Sequence, residues 1–332
     1  MRVGVIDCGT NTIRLYIAEA SGNGKYLSCT PGENDPIPVE DPTATREIIR
    51  TLRYVRLGEG VDATGRFAEA ALERVFAACD EFAHIIAESG VDRLRFIATS
   101  AARDVSNRDV FFAGVRERLG VDPDVISGDE EARLSFLGAL SGGPVPGGGA
   151  DLSGGILVTD IGGGSTEYIL GTATGTIIAE ESTNMGSVRV RERFLHHDPP
   201  LPEEVGAARE FIDGLLDTTA LSGECPLPSA WIGVAGTCTS LSAMHRRLTT
   251  YDRATIHNSQ VEVADLIALS ESLLGLTIDQ TLATYPVLKL MRAQVICAGA
   301  LIAAQTARRV RLPMIVRETD ILDGAAMDLL SV

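Results

Sequence analysis

The sequence predicts an α/β protein made of two similarly planned domains, each built on a mixed sheet, facing one another across a cleft. Three observations predict it. VIDCGTNTIRLYIA near the start and VTDIGGGSTEYILG near the middle share one design: an apolar run ending in Asp-x-Gly, a short polar turn and a second extended run, with Asp7 and Asp160 standing 153 residues apart. Each is followed by alternating helical and extended segments. Between the two halves lies SGGPVPGGGADLSGG, residues 141–155, whose Gly and Pro content marks a boundary. The 332 residues suffice for two domains of ordinary size.

In chain order, Val3–Asp7 reads as a buried strand and Ile13–Ala18 as a second one, closed by turn chemistry at Gly22-Asn23-Gly24. Residues 31–46, rich in Pro, Asp and Glu, read as a surface loop, and Leu52–Leu57 as extended. From Phe67 to Ser89 the apolar residues Leu72, Val75, Phe76, Cys79, Phe82, Ile85 and Ile86 fall on one helical face, stopped by Gly90. A strand at Leu94–Thr99, a helix over about 107–119 capped by Ser106 and stopped by Gly120, a short strand near Val125 and a helix from Asp129 to Leu140 complete the first half. The second half opens with strands at Ile156–Asp160, Thr166–Leu170 and Thr176–Glu180. It continues through helices, a strand at Trp231–Val234, further helices, a strand at Leu312–Val316 and a terminal helix.

The glycine turns carry the chemistry. A tight hairpin without side chains turns backbone N–H groups toward one point, and such a nest binds phosphate oxygens. Gly9, Thr10, Asn11 and Thr12 form one such turn, and Gly162, Gly163, Gly164, Ser165 and Thr166 another, each with hydroxyl or amide donors. In VAGTCTSL, Gly236 and Thr237 leave a strand and open a helix, whose N-terminus favours an anion. Three donor-rich turns that converge suit more than one phosphoryl group. The dinucleotide fingerprint and the Walker loop each need strand–loop–helix, and the latter a Gly-Lys-Ser/Thr; neither is present.

Carboxylates complete the pattern. Asp7 and Asp160 end their strands at the turns, and Glu167 follows Asp160 by seven residues, so a hairpin brings both acids within reach of one cation. In ISGDEEARLSF, Ser127 and Glu130 form a capping box, which leaves Glu131 in the first helical turn without a structural duty. His196-His197-Asp198, before two prolines, reads as an exposed loop rather than a metal site.

Composition narrows the partners. The net charge of −16 disfavours a nucleic-acid binder, although placed arginines and amides can still hold a polyanion. The six cysteines are scattered without a C-x-x-C pair, which argues against zinc and for reduced thiols in a cytoplasm. MRVGVIDCG reads directly as a strand rather than as a leader, and no apolar run reaches bilayer length.

At VIDCGTNTIRL, IATSAARD, ISGDEEARLSF, DIGGGSTEYILG, MGSVRV, AGTCTSL, RAQVICAGALI and ETDILDGA, in this order, the sequence resembles the exopolyphosphatase / guanosine pentaphosphate phosphohydrolase (Ppx/GppA) family, in its short, two-domain, actinobacterial-type form. The resemblance implies the actin-like ATPase (ASKHA) fold, two ribonuclease-H-like domains with mixed five-stranded sheets flanking a cleft. The first would span 1–140, completed by a C-terminal helix over about 318–332; a linker would span 141–155 and the second domain 156–317. It implies a cytoplasmic exopolyphosphatase that hydrolyses the terminal phosphoanhydride bond of inorganic polyphosphate and releases orthophosphate, with Mg²⁺ or Mn²⁺ as cofactor. In that reading Glu131 is the catalytic base, Asp160 and Glu167 hold the metal, and Arg103 contacts phosphate beside the three turns. Asp7, Arg189 and Arg292 are further candidates for the site. Gln294 stands where the family pattern has an aspartate. Guanosine penta- or tetraphosphate is a second candidate ligand and a homodimer a candidate assembly; nucleic acid and membrane are not expected partners. Three alternatives stay open: a guanosine pentaphosphate 5′-phosphohydrolase, a kinase of the same fold, and a non-catalytic sensor of polyphosphate or an alarmone.

Overall fold

The computed structural model describes residues 1–20, 25–28, 37–40, 45–103, 105–146, 152, 154–219, 221–222 and 227–331. The first half holds strands β1 (Arg2–Cys8), β2 (Thr12–Ala20), β3 (Lys25–Ser28), β4 (Ile37–Glu40) and β5 (Thr45–Tyr54). After them come helices α1 (Val61–Thr64) and α2 (Glu69–Ser89), strand β6 (Arg93–Ala98), helix α3 (Arg108–Leu119), strand β7 (Asp124–Val125) and helix α4 (Gly128–Ser141). The second half begins with β8 (Ile156–Ile161), β9 (Thr166–Gly171), β10 (Ile177–Thr183), α5 (Ser187–Phe194), α6 (Pro202–Leu216), β11 (Ala230–Val234) and α7 (Ala235–His245). It ends with α8 (Arg253–Ile256), β12 (Ser259–Val261), α9 (Val263–Leu274), α10 (Ile278–Thr284), α11 (Leu290–Val310), β13 (Met314–Val316) and α12 (Ile321–Ser331).

The first sheet has the order β5-β2-β1-β6-β7 and the second β10-β9-β8-β11-β13-β12. Numbered within each sheet, the first five strands follow the same path: an antiparallel three-stranded meander, then two parallel strands beyond its first strand. The duplicated plan is therefore present. The second sheet departs from five strands by one, because Ser259–Val261 adds antiparallel to the outer edge of β13. The centre strands β1 and β8 are buried on both faces, which is why they read as unbroken apolar runs.

Several boundaries differ from the sequence reading. Residues 37–40 pair with 25–28 as a small hairpin inside what reads as a loop, and the strand expected at Leu52–Leu57 is the end of β5. The remainder of 31–44, the turn at 22–24 and most of 147–153 lie outside the described residues. Asn107, not Ser106, is the residue before α3, and its side chain bonds to the backbone of Phe67. Ser127 does cap α4, but Glu130 turns away from the reciprocal bond to pair with Arg133 at 2.7 Å. Contrary to the composition reading, α11 has the length and apolarity of a membrane span; it is the central helix of the second half, wrapped by core residues from α5, α6, α7 and α9, so nearly every face of it is apolar.

Helix α4 joins the two sheets. Its Leu134 packs with Val3, Val5 and Tyr16 of the first sheet, whereas Ala132, Phe136 and Ala139 pack with Ile156, Val158 and Ile169 of the second. Helix α12 returns to the first sheet through Ile321, Leu322, Ala325 and Ala326. The two helices cross at Gly138 and Gly324, where a Cβ on either would strike the other helix's backbone.

Candidate active site

The two Asp-x-Gly turns fold alike. Gly9 N–H donates to the carbonyl of Thr12 at 2.9 Å, and Gly162 N–H to that of Ser165 at 3.1 Å. They meet tip to tip: a Cβ on Gly163 would stand 2.9 Å from Thr10 Cβ, and one on Gly164 would collide with the Thr10 and Ser100 hydroxyls, so only glycine admits this approach. The third turn is sharper. Ala235 adopts a positive φ of 65°, an uncommon conformation for a residue with a Cβ, and swings the chain straight from β11 into α7 with Gly236 at the corner. All three turns line one cavity of about 810 Å³ between the sheets, together with Asp7, Glu131, Asp160 and Arg292.

Glu131 lies in the first turn of α4, 8% exposed, paired with Arg103, whose Nε also donates to the Ile126 carbonyl at 3.1 Å. Burial and the nearby Glu167 push its carboxyl well above the usual range, against the pull of Arg103. Asp160 and Glu167 are direct partners across the β8–β9 ladder, so their side chains share a face. Asp160 accepts from Ser135 Oγ at 2.7 Å, and Glu167 from Ser182 Oγ at 2.8 Å. Burial raises Asp160 to about 6; burial and then Asp160 raise Glu167 to about 8. Asp7 accepts from Arg14 Nη2 at 2.6 Å and Nε at 3.0 Å, and Arg14 reaches on to Asp320. One Asp7 oxygen and both polar side-chain atoms of Asn11 are buried without a hydrogen-bond partner, at the edge of the same cavity.

These carboxyls fit a hard cation. Buried like charges at close quarters are costly unless protonated or countered, and three elevated acids behind a phosphate-type nest have the oxygen chemistry that Mg²⁺ or Mn²⁺ accepts. The Asp7 oxygen left without a donor points the same way. Among the described residues no three His, Cys, Asp or Glu side chains converge at ligating spacing.

Not every candidate residue faces the cavity. The Thr166 hydroxyl is bound to the Met185 carbonyl, and Thr237 is fully buried against Gly299 of α11. Arg103 reaches the site only through Glu131. Arg189 sits behind the glycine turn, paired with Asp62 at 3.2 Å across the two halves. Arg292 does line the cavity, packed over Gly236. His197 is exposed and bonded to Glu204 at 2.8 Å, as the loop reading expects. Gln294 accepts from Arg56 Nη1 at 3.2 Å, a contact between the halves. Sequence reading missed Arg14, Asp320, Ser135 and Ser182; only Arg14 leaves a signal, since it follows Asp7 by the seven residues that separate Asp160 from Glu167.

The sequence profile of the Ppx/GppA phosphatase family matches residues 39–319. Exopolyphosphatase 2 of Mycobacterium tuberculosis is 41% identical over 99% of this chain and 98% of its own length. The crystal structure of an exopolyphosphatase-like protein superposes with a TM-score of 0.84 at 35% identity, covering 99% of this chain and 97% of that one. The Ppx/GppA family member of Aquifex aeolicus superposes at 0.76 with 25% identity, covering 100% and 98%. Profile, near-full-length identity and superposition agree with the paired glycine turns and the acids between them: the chain belongs to the Ppx/GppA phosphatase family.

Proposed function

We propose that this chain is an exopolyphosphatase: it hydrolyses the terminal phosphoanhydride bond of inorganic polyphosphate and releases orthophosphate. One observation carries the reading. The Glu131 carboxyl stands with Asp160 in the cavity onto which glycine turns from both halves open, so a water-activating acid and a phosphate nest share one buried space.

The amides of Thr10–Thr12 and Gly163–Ser165 hold the terminal phosphoryl oxygens, and Arg292 with the Gly236 turn holds the next group along the chain. Asp160, with Glu167 beside it on the β8–β9 ladder, would hold a divalent ion, Mg²⁺ or Mn²⁺, which would supply charge neutralisation for the transferred group. Glu131, its carboxyl raised well above the usual range by burial and by Glu167, accepts the proton of the attacking water. The new P–O bond forms as the bridging P–O bond breaks, and the shortened chain leaves as the anion. In the free protein Arg103 holds Glu131; a phosphoryl oxygen competes for the same guanidinium, so substrate arrival releases the base. The domain division that accompanies this reading is 1–140 with the C-terminal helix, and 156–317. Orthophosphate release from tripolyphosphate and from long polyphosphate, with Mg²⁺ and with Mn²⁺, tests the proposal. Release from at least one is expected, and no release under any of the four conditions overturns it.

A further inference from the structure

A serine inside a helix commonly turns its hydroxyl to the carbonyl four residues back, as Ser240 of α7 does to Gly236. Ser135 of α4 does not. It is fully buried, and its Oγ donates at 2.7 Å to Oδ2 of Asp160, at the end of β8 in the second half. Among the described residues no other side chain hydrogen-bonds to Asp160, so this hydroxyl fixes the rotation of the carboxyl group and leaves Oδ1 as the oxygen free for a cation in the cavity that Asp160 lines. Ser135 follows Glu131 by four residues, so the two side chains are neighbours on one face of the helix, about 5–6 Å apart at Cβ. The base and the acid that would hold the ion are therefore referred to a single turn of a single helix, although they belong to different halves. Ser182 offers a contrast. Its hydroxyl donates to Glu167, its direct partner on the neighbouring strand, a bond within the second half that sets no distance to the base.

We propose that Ser135 is a positioning residue: its hydroxyl sets where a cation on Asp160 stands relative to the Glu131 carboxyl, and so relative to the attacking water. The inference rests on the exopolyphosphatase reading and its ion seat. A bond within one half would hold Asp160 in its own sheet but let its distance to Glu131 drift as the halves shift. A bond from the helix that carries Glu131 removes that freedom, and a hydroxyl one turn from the base does so without adding charge. A merely structural serine would contribute to folding and leave both the ion and the chemistry as they are. A hydroxyl that aims a ligating carboxylate changes both, since partners behind a ligand typically govern affinity or activity by about 10–100-fold.

Mn²⁺ serves as the probe, its binding to the metal-free protein read from the electron paramagnetic resonance of the free ion. Ser135→Ala should bind Mn²⁺ about tenfold more weakly than the wild type, and Ser135→Thr, which keeps the hydroxyl, within about threefold of it. At saturating Mn²⁺ the turnover of Ser135→Ala on polyphosphate should remain about tenfold low with KM within about twofold, because more metal does not correct a misplaced one. Unchanged Mn²⁺ affinity in Ser135→Ala, or turnover fully restored by saturating Mn²⁺, overturns the positioning role; Ser135→Ala alone decides if Ser135→Thr does not fold. Mn²⁺ binding that is absent in the wild type, or untouched by Asp160→Asn, overturns the ion seat and the proposal with it. A wild type that binds Mn²⁺ without releasing orthophosphate instead overturns the exopolyphosphatase reading, and the binding comparison still decides whether Ser135 aims the ion's ligand.

Discussion

At the end of β1, Asp7 faces Arg14 across its hairpin; at the end of β8, Asp160 faces Glu167 at the same register position. Backbone path, turn hydrogen bond and spacing are shared, and one residue inverts the electrostatics. The first hairpin carries its own counter-charge: Arg14 serves both Asp7 and Asp320, and together with Arg50 it holds Asp320 below its usual range, while burial still lifts Asp7 against the pull of Arg14. The second hairpin stacks acid on acid, with serine hydroxyls as its hydrogen-bond donors, and burial drives both carboxyls upward against the more distant Arg14 and Arg103. A duplicated fold has thus set an arginine beside the acid of one turn and a second acid beside that of the other.

Four expected outcomes test how far the two hairpins differ. The largest concerns the acid that both hairpins face: Glu131→Gln should lower turnover by about 10²–10⁴-fold with polyphosphate binding retained, and unchanged orthophosphate release would remove Glu131 from the chemistry. Next, Arg14→Met strands the buried Asp7 and leaves Asp320 to Arg50 alone, and should cost about 3–5 kcal/mol in denaturant unfolding. Third, divalent ion at about a hundred times its dissociation constant should stabilise the wild type by about 2.7 kcal/mol and Glu167→Gln far less; equal stabilisation of both would mean that the second hairpin is not the ion's seat. The smallest is a pH effect. The folded-state pKa of Glu167 is raised to about 8 from 4.5, so the folded chain holds that proton more tightly than the unfolded one. Its contribution to metal-free stability is therefore full below about 4.5 and is lost as pH rises through about 8. Against Glu167→Gln, the metal-free wild type should lose about 1 kcal/mol or more across that window; thermal unfolding at pH 5 and pH 8.5 reads it, and a flat difference contradicts the acid-on-acid arrangement.

Much of the fold was legible because hairpin and helix signals are local. The two Asp-x-Gly turns, α2 and the strand-to-helix corner at Gly236 each announce themselves within a dozen residues. What escaped depends on distant partners. Ser259–Val261 is too short to be recognised as a strand and becomes one because β13 offers a free edge. Asp320 belongs to the site only because α12 folds back to the first sheet, and Ser135 and Ser182 look like ordinary helix and strand serines until Asp160 and Glu167 are placed beside them. The same holds for Arg189, read as lining the substrate channel but positioned behind it by the packing of α5 on the glycine turn.

The crossing of α4 and α12 turns a packing detail into a mechanical one. Glu131 and the crossing glycine Gly138 are seven residues apart on one helix, a lever arm of roughly 10 Å at 1.5 Å per residue. Because that rod is bolted to both sheets, a tilt of about 5° between them displaces the carboxylate by about 1 Å, a shift of the size that alters rates about a hundredfold. In the proposed mechanism the fulcrum, rather than the acid itself, then sets how finely the attack on phosphorus can be aligned.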